Sequence, residues 1–154
     1  MKTEVKNNTV DVLLVNELNQ FVADLQIHYQ NLRAFHWNVK GNMFFVLHAK
    51  FEEYYTETAE VIDEVAERIL MVGGQPLHAF SDYLANASLD EIRNVTDGIT
   101  AVKYVIAQSE LLLEQMNKIQ ADAADRADEG TNALFSGLIS NTEKRVWMLR
   151  TFLA

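Results

Sequence analysis

Apolar residues recur at steps of three and four along most of the chain. From about Thr9 to Trp37, residues Val12, Val15, Leu18, Val22, Leu25, Tyr29 and Leu32 share one face of a 3.6-residue repeat, which predicts an amphipathic helix. Gly41 closes the turn that follows. A second helix is predicted over Phe44 to Val72, where Gly73-Gly74 offers an easy left-handed cap and Pro76, the only proline, forbids continuation. Leu77 to Ala87 predicts a short helix in a crossover. Ser88-Leu89-Asp90-Glu91 has the form of a capping box, Ser at N-cap and Glu at N3, and predicts the opening of a third helix that reaches about Ala123. The fourth spans about Glu129 to Phe152. Gly98 and Gly137 fall inside the third and fourth helices, and the pattern gives them no role.

Four long helices with a link of roughly 16 residues between the second and third describe an all-α four-helix bundle with a short helix in a long crossover, not a simple up-and-down series. No internal repeat, low-complexity run or second domain interrupts it. Residues 1–154 therefore read as one domain, with 1–8 as a short N-terminal tail.

Composition narrows the classes. The chain of 154 residues, 49% hydrophobic, suffices for one buried core. Cysteine is absent, which removes disulfides and thiolate metal sites from consideration. Met1 to Asp11 lacks the apolar run of a signal peptide or membrane span, so a cytoplasmic protein without membrane contact is expected. A net charge of −9 repels nucleic-acid phosphates and attracts cations.

Against that background His36, His48, Asp63 and Glu67 form a constellation. The reversal at Gly41 can bring the two imidazoles together. Asp63 and Glu67 are neighbours on a helical face, where like charges repel unless a cation lies between them. His48 and Asp63, however, stand about 22 Å apart on a continuous helix at 1.5 Å per residue, so one copy cannot bring all four side chains to one ion. His48, Glu52, Asp63 and Glu67 fall within about a 100° arc. A second copy packed antiparallel across a two-fold axis sets the His end of one chain against the carboxylate end of the other and creates two intersubunit sites. The competing reading is a solvated acidic face of Asp63, Glu64 and Glu67, with Glu64 paired to Arg68. Imidazole with carboxylate suits divalent iron, manganese or zinc, and zinc would compete for the same donors. The chain contains no Glu-x-x-His pair, which disfavours an ordinary di-iron centre inside one bundle.

The runs Phe35-His36-Trp37-Asn38-Val39-Lys40-Gly41, Phe44-Phe45-Val46-Leu47-His48-Ala49-Lys50-Phe51-Glu52 and Asp63-Glu64-Val65-Ala66-Glu67-Arg68 resemble the signature of the Dps-like mini-ferritins. The likeness continues through Gly73-Gly74 and Pro76 and returns at Glu143-Lys144-Arg145-Val146-Trp147-Met148-Leu149. It implies a ferritin-like fold and a hollow dodecamer that oxidises ferrous iron at two-fold interfaces, typically with hydrogen peroxide, stores ferric mineral and so protects DNA. His36 and His48 match the histidine ligands, and Asp63 and Glu67 match the carboxylates of the partner subunit. Glu52 stands where many relatives place an aspartate, and its role is open between ligand, acceptor for a ligand and metal-entry guide. Trp37 matches a tryptophan beside the site, as a sink for an oxidising equivalent or as packing. The resemblance also assigns Asp122, Asp125, Asp128 and Glu129 to a three-fold pore, against the alternative of a solvated turn.

His28 and His78 lack partner spacing and read as structural. Trp147 belongs to an apolar stripe with Val146, Leu149 and Phe152 and reads as core, while Tyr54 and Tyr55 suit either the two-fold interface or bundle packing. A second functional class is DNA compaction through basic termini. Lys2 and Lys6 stand against Glu4 and Asp11, and Ala154 follows no basic tail, so DNA binding is expected to be weak or absent apart from magnesium bridging. A third class, a zinc-stabilised structural bundle, is separated from the first by ferrous-oxidation turnover.

Overall fold

The computed structural model describes residues 10–154, and the expected tail at 1–8 lies outside them, as does Thr9. Five helices follow in order: α1 Val12–Asn38, α2 Phe44–Met71, α3 Phe80–Asn86, α4 Gly98–Asp125 and α5 Glu129–Leu153. Asp11 caps α1 by accepting from the Leu14 N–H at 3.1 Å. Gly41, at φ +105°, carries the reversal into α2. At the far end of α2 the N–H of Gly74 bonds the Ile69 carbonyl and that of Gly73 the Leu70 carbonyl, a Schellman closure in which Gly73 takes φ +87°.

The core divides into two apolar clusters. One gathers Leu18, Phe21 and Leu25 of α1 with Val65, Leu112 and Phe135. The other joins Leu32 and Phe35 to Leu47, Phe51, Val102 and Leu149. The order in which each helix passes through them makes α1 and α5 run one way and α2 and α4 the other. A crossover must therefore carry the chain the length of the bundle between α2 and α4, as the helical pattern predicts. Between the clusters lies a polar layer of His28, Thr58, Gln108 and Ser109, all buried.

The third helix starts later than the capping-box motif predicts. Ser88 caps nothing: its N–H and hydroxyl both bond the buried Asp24 carboxylate of α1, which also accepts from the Leu89 N–H and the Gln115 amide. Residues 88–97 are held irregular, and α4 begins at Gly98, capped by Asp97 accepting from the Thr100 N–H at 2.9 Å. Gly98 thus opens α4 instead of lying inside it, and a Cβ there would come within 2.6 Å of Leu47 Cδ1. Nothing in the structure explains Gly137.

Asn19 and Asn31 repeat the Asp24 device. Asn19 bonds the Gln75 carbonyl and the Leu77 N–H, and Asn31 bonds the Asp90 carbonyl and the Ile92 N–H. One face of α1 thereby holds the crossover by its backbone while another face fills the core. The crossover helix is shorter than the predicted Leu77–Ala87 and buries none of its residues.

Two further expectations change. Arg68 does not pair with Glu64; its guanidinium bonds Asp128 at 2.7 Å and Thr131 at 2.9 Å, binding the end of α2 to the first turn of α5. Gly130 leaves room for it, since a Cβ would stand 2.6 Å from Arg68. Trp147 is not core. Val146 and Leu149 are buried, but Trp147 is 63% exposed and Phe152 also faces outward, because α5 turns only part of that stripe toward the other helices.

Candidate metal centre

The last turn of α1 and the first turns of α2 lie antiparallel around the Gly41 reversal, which brings His36 and His48 face to face. Their rings stack with centroids 3.8 Å apart and planes 12° from parallel. Nδ1 of His36 lies 2.7 Å from the His48 carbonyl oxygen, and Nδ1 of His48 lies 2.8 Å from the His36 carbonyl oxygen. A carbonyl only accepts, so each Nδ1 carries the proton. In the neutral imidazole this leaves Nε2 with a free lone pair. Such a bond to the backbone is how metal-binding histidines are commonly oriented.

Aromatic rings buttress the pair. Phe44, one turn before His48, stacks on its ring at 4.8 Å, and Tyr55 meets His36 edge-on at 5.3 Å. The Tyr55 hydroxyl donates to Glu52 Oε1 at 3.4 Å. Burial first, and then the Glu52 carboxylate, push the Tyr55 phenol above its ordinary range. Glu52 is exposed one turn beyond His48, on the side of α2 that carries Tyr55. Tyr54 points the other way into the bundle and Tyr55 to the histidines, which divides the adjacent tyrosines between packing and site. Trp37 is 56% exposed and lies under the Arg33 guanidinium at 4.8 Å, on the opposite side of His36 in sequence from the core residue Phe35.

Asp63 and Glu67 lie far down the same helix. Both are exposed, and neither forms a side-chain hydrogen bond or ion pair among the described residues. Within one chain no three histidine or acidic side chains among the described residues come together in a way that could hold an ion. Within one chain the structure therefore brings the two imidazoles together and leaves Asp63 and Glu67 apart from them.

The acidic turn between α4 and α5 also separates into roles. Asp128 caps α5, accepting from the Thr131 N–H and hydroxyl as well as from Arg68. Burial opposes its charge, but those bonds hold its carboxyl below the usual range. Asp122 faces Glu17 of α1, whose carboxyl is raised by burial and then by that neighbouring acid. Asp125 and Glu129 remain exposed. Arg126 turns back to pair with Asp11.

Sequence reasoning missed Phe44 and Tyr55 as ring supports, although Phe44 is a helical neighbour of His48 at i−4 and Tyr55 follows Glu52 at i+3. The carbonyl partners of the imidazoles leave no trace in residue identity. His78 is exposed and bonds only the nearby Pro76 carbonyl.

A family model described as a ferritin-like domain matches residues 15–154. The chain is 41% identical over 140 residues to DNA protection during starvation protein 2 of Bacillus anthracis, covering 91% of this chain and 96% of that one. Among solved structures, a Dps protein from Vibrio cholerae O1, described as a member of a broad superfamily of ferritin-like diiron-carboxylate proteins, superposes with a TM-score of 0.93 at 43% identity. The match covers 96% of this chain and 92% of that one. A Dps protein from Bacillus brevis covers all of both chains, with a TM-score of 0.91 and 36% identity.

Proposed function

Since the chain belongs to the ferritin-like family and, within it, to the Dps-like mini-ferritins of iron storage and DNA protection, we propose that it is a ferroxidase whose iron sites lie between two copies of the chain. His36 and His48 of one subunit and Asp63 and Glu67 of its two-fold partner are the proposed ligands, with Glu52 assisting at the histidine end. The observation that carries this reading is the reciprocal bonding of the two imidazoles to the backbone, which presents two Nε2 lone pairs about 22 Å along α2 from the unpaired carboxylates. Only a partner chain shortens that distance.

Ferrous iron is substrate here. Neutral imidazole nitrogens accept it, and the hard carboxylate oxygens favour the ferric product. One hydrogen peroxide takes one electron from each of two ferrous ions and, with two protons, leaves as two waters, so no hydroxyl radical is released. The two-fold sites belong to a closed homo-oligomer, in this family a dodecamer, whose cavity receives the ferric mineral. Zinc is accepted by the same donors and acts as a competitor. No helix among the described residues is long and apolar enough to cross a membrane, and family membership supports the cytoplasm as its location.

The decisive experiment adds anaerobic ferrous iron to the purified protein, supplies oxygen or peroxide, and follows ferric absorbance together with particle mass. The reading expects faster oxidation with peroxide and a soluble mineral-bearing shell. Oxidation followed by precipitation outside the protein would refute storage.

A further inference from the structure

The core residues of α2, among them Leu47, Phe51, Tyr54, Val65 and Ile69, lie on one side of the helix. About 140° around the axis runs a second stripe, at roughly 100° per residue, on which Phe45, Thr56, Ala59, Asp63 and Leu70 are all exposed. It extends about 38 Å along the helix. Its two ends are apolar, with Phe45 84% and Leu70 59% exposed. Singly, such exposures are ordinary. Their spacing is not.

The stripe is complementary to itself. Phe45 mirrors Leu70, His48 mirrors Glu67, Glu52 mirrors Asp63 and Thr56 mirrors Ala59, and all four pairs are centred on one point between Glu57 and Thr58. Apolar is set against apolar, imidazole against carboxylate, and small against small at the middle. The one like-charged pair, Glu52 with Asp63, is reconciled by a cation between them. Complementarity about a point on one face is what a two-fold axis demands, because there residue i meets j and j meets i.

We infer that two copies of α2 pack antiparallel with the axis between Glu57 and Thr58, Thr56 of each against the partner's Ala59 and Phe45 of each against the partner's Leu70. The inference rests on the two-fold reading of the iron site and adds its register and its apolar ends. Small side chains at the centre let the helix axes approach to about 8 Å. Phe45 precedes His48 by three residues and Leu70 follows Glu67 by three, so each apolar contact sits one turn outside the ligands and closes the site at that end.

A slip of one turn breaks the match in either direction. One way, Leu70 falls opposite Gly41, before the partner's α2 begins, and Glu67 falls opposite Phe44. The other way, Phe45 falls opposite Gly73, past the end of α2, and His48 falls opposite Leu70.

The chain has no cysteine, so each introduced thiol reports one contact, and a disulfide forms only where Cα atoms come within about 7 Å. Full-length chains carrying Thr56→Cys, reassembled without iron with chains carrying Ala59→Cys and then oxidised, should shift to a covalent dimer on a non-reducing gel. Either variant alone should keep its monomer band. In a second arm, Phe45→Lys and Leu70→Glu should each shift particle mass toward single chains, and a chain carrying both should regain the assembled mass, since lysine then meets glutamate across the axis. Linking of Thr56→Cys to itself as readily as to Ala59→Cys, or no recovery in the doubly charged variant, would overturn the register. If these arms fail while His48→Ala and Asp63→Ala still complement, the iron site stays between subunits and only the register is wrong; failure of all three takes the two-fold reading with it.

Discussion

His36 and His48 hold each other through the backbone: the imidazole N–H of each ends on the carbonyl oxygen of the other, at 2.7 and 2.8 Å. Neither ring can swing away without breaking its own bond and unstacking the second ring. The two side chains therefore act as one unit, and removing either loosens its neighbour.

The first prediction follows from that unit and from its distance to the acids. His48→Ala and Asp63→Ala should each slow ferrous oxidation by at least about tenfold, although they lie at opposite ends of α2. Subunits reassorted from the two variants should regain activity, because one interface end of a mixed dimer keeps both wild-type halves. Stopped-flow oxidation of verified mixed dimers checks this, and failure to complement would count against intersubunit geometry.

Zinc should slow iron oxidation in proportion to its occupancy of the same donors. Parallel calorimetric and kinetic titrations make the comparison. Zinc bound at full stoichiometry with undiminished turnover would show that the two metals use separate places.

Stability should fall in mild acid because of His28. Its folded pKa, lowered by burial to about 4 despite the bond to Gln108 and with Arg145 adding to the depression, lies below the ordinary value of 6.5. The unfolded chain therefore binds a proton that the folded chain refuses. The penalty is absent above about pH 6.5 and grows as pH drops toward 4, to on the order of 3 kcal/mol per chain. Urea titrations at pH 7.5 and 4.5 should show a smaller acid loss for His28→Leu than for wild type. An equal loss in both would place the acid sensitivity elsewhere.

Asp24→Asn should destabilise the fold more than an exposed carboxylate change. The new amide turns N–H groups toward the donors of Ser88, Leu89 and Gln115, and about 2–4 kcal/mol is expected from stranding buried polar groups. Denaturant midpoints measure it, and a shift below about 0.5 kcal/mol, the scale of ordinary surface changes, would mean that the crossover finds other partners.

Protection of DNA should be chemical rather than by contact. Net charge −9 opposes the polycationic contacts that compaction requires. With ferrous iron and peroxide present, wild type should prevent plasmid nicking and a His36→Ala, His48→Ala double variant should not. Gel mobility without magnesium should stay unchanged for both. A strong shift by wild type, or full protection by the double variant, would favour physical shielding.

How much of this was legible in the chain depends on the range of the interactions. The helical period, the Gly41 reversal and the Gly73-Gly74 stop are local, and the structure follows them closely. The His pairing was legible too, since a short turn decides it. Ser88 misled because its local capping signal lost to Asp24, a partner 64 residues earlier. Arg68 misled for the same reason, since Asp128 lies 60 residues beyond it. Trp147 shares a stripe with buried residues, and only the packing of α5 shows that the stripe is wider than the contact. Phe44 and Tyr55 support the imidazoles through ring geometry, which periodicity does not encode.

The anchoring of the crossover to α1 bears on the order in which the chain acquires structure during synthesis. When α1 and α2 have left the ribosome they can form a hairpin through the core face of α1, with Asp24 and Asn31 on the face that residues 88–92 later cover and so still open to water. Their side chains carry no desolvation cost until the crossover emerges and supplies its backbone partners. Translation past residue 92 becomes the step that ties the crossover to α1.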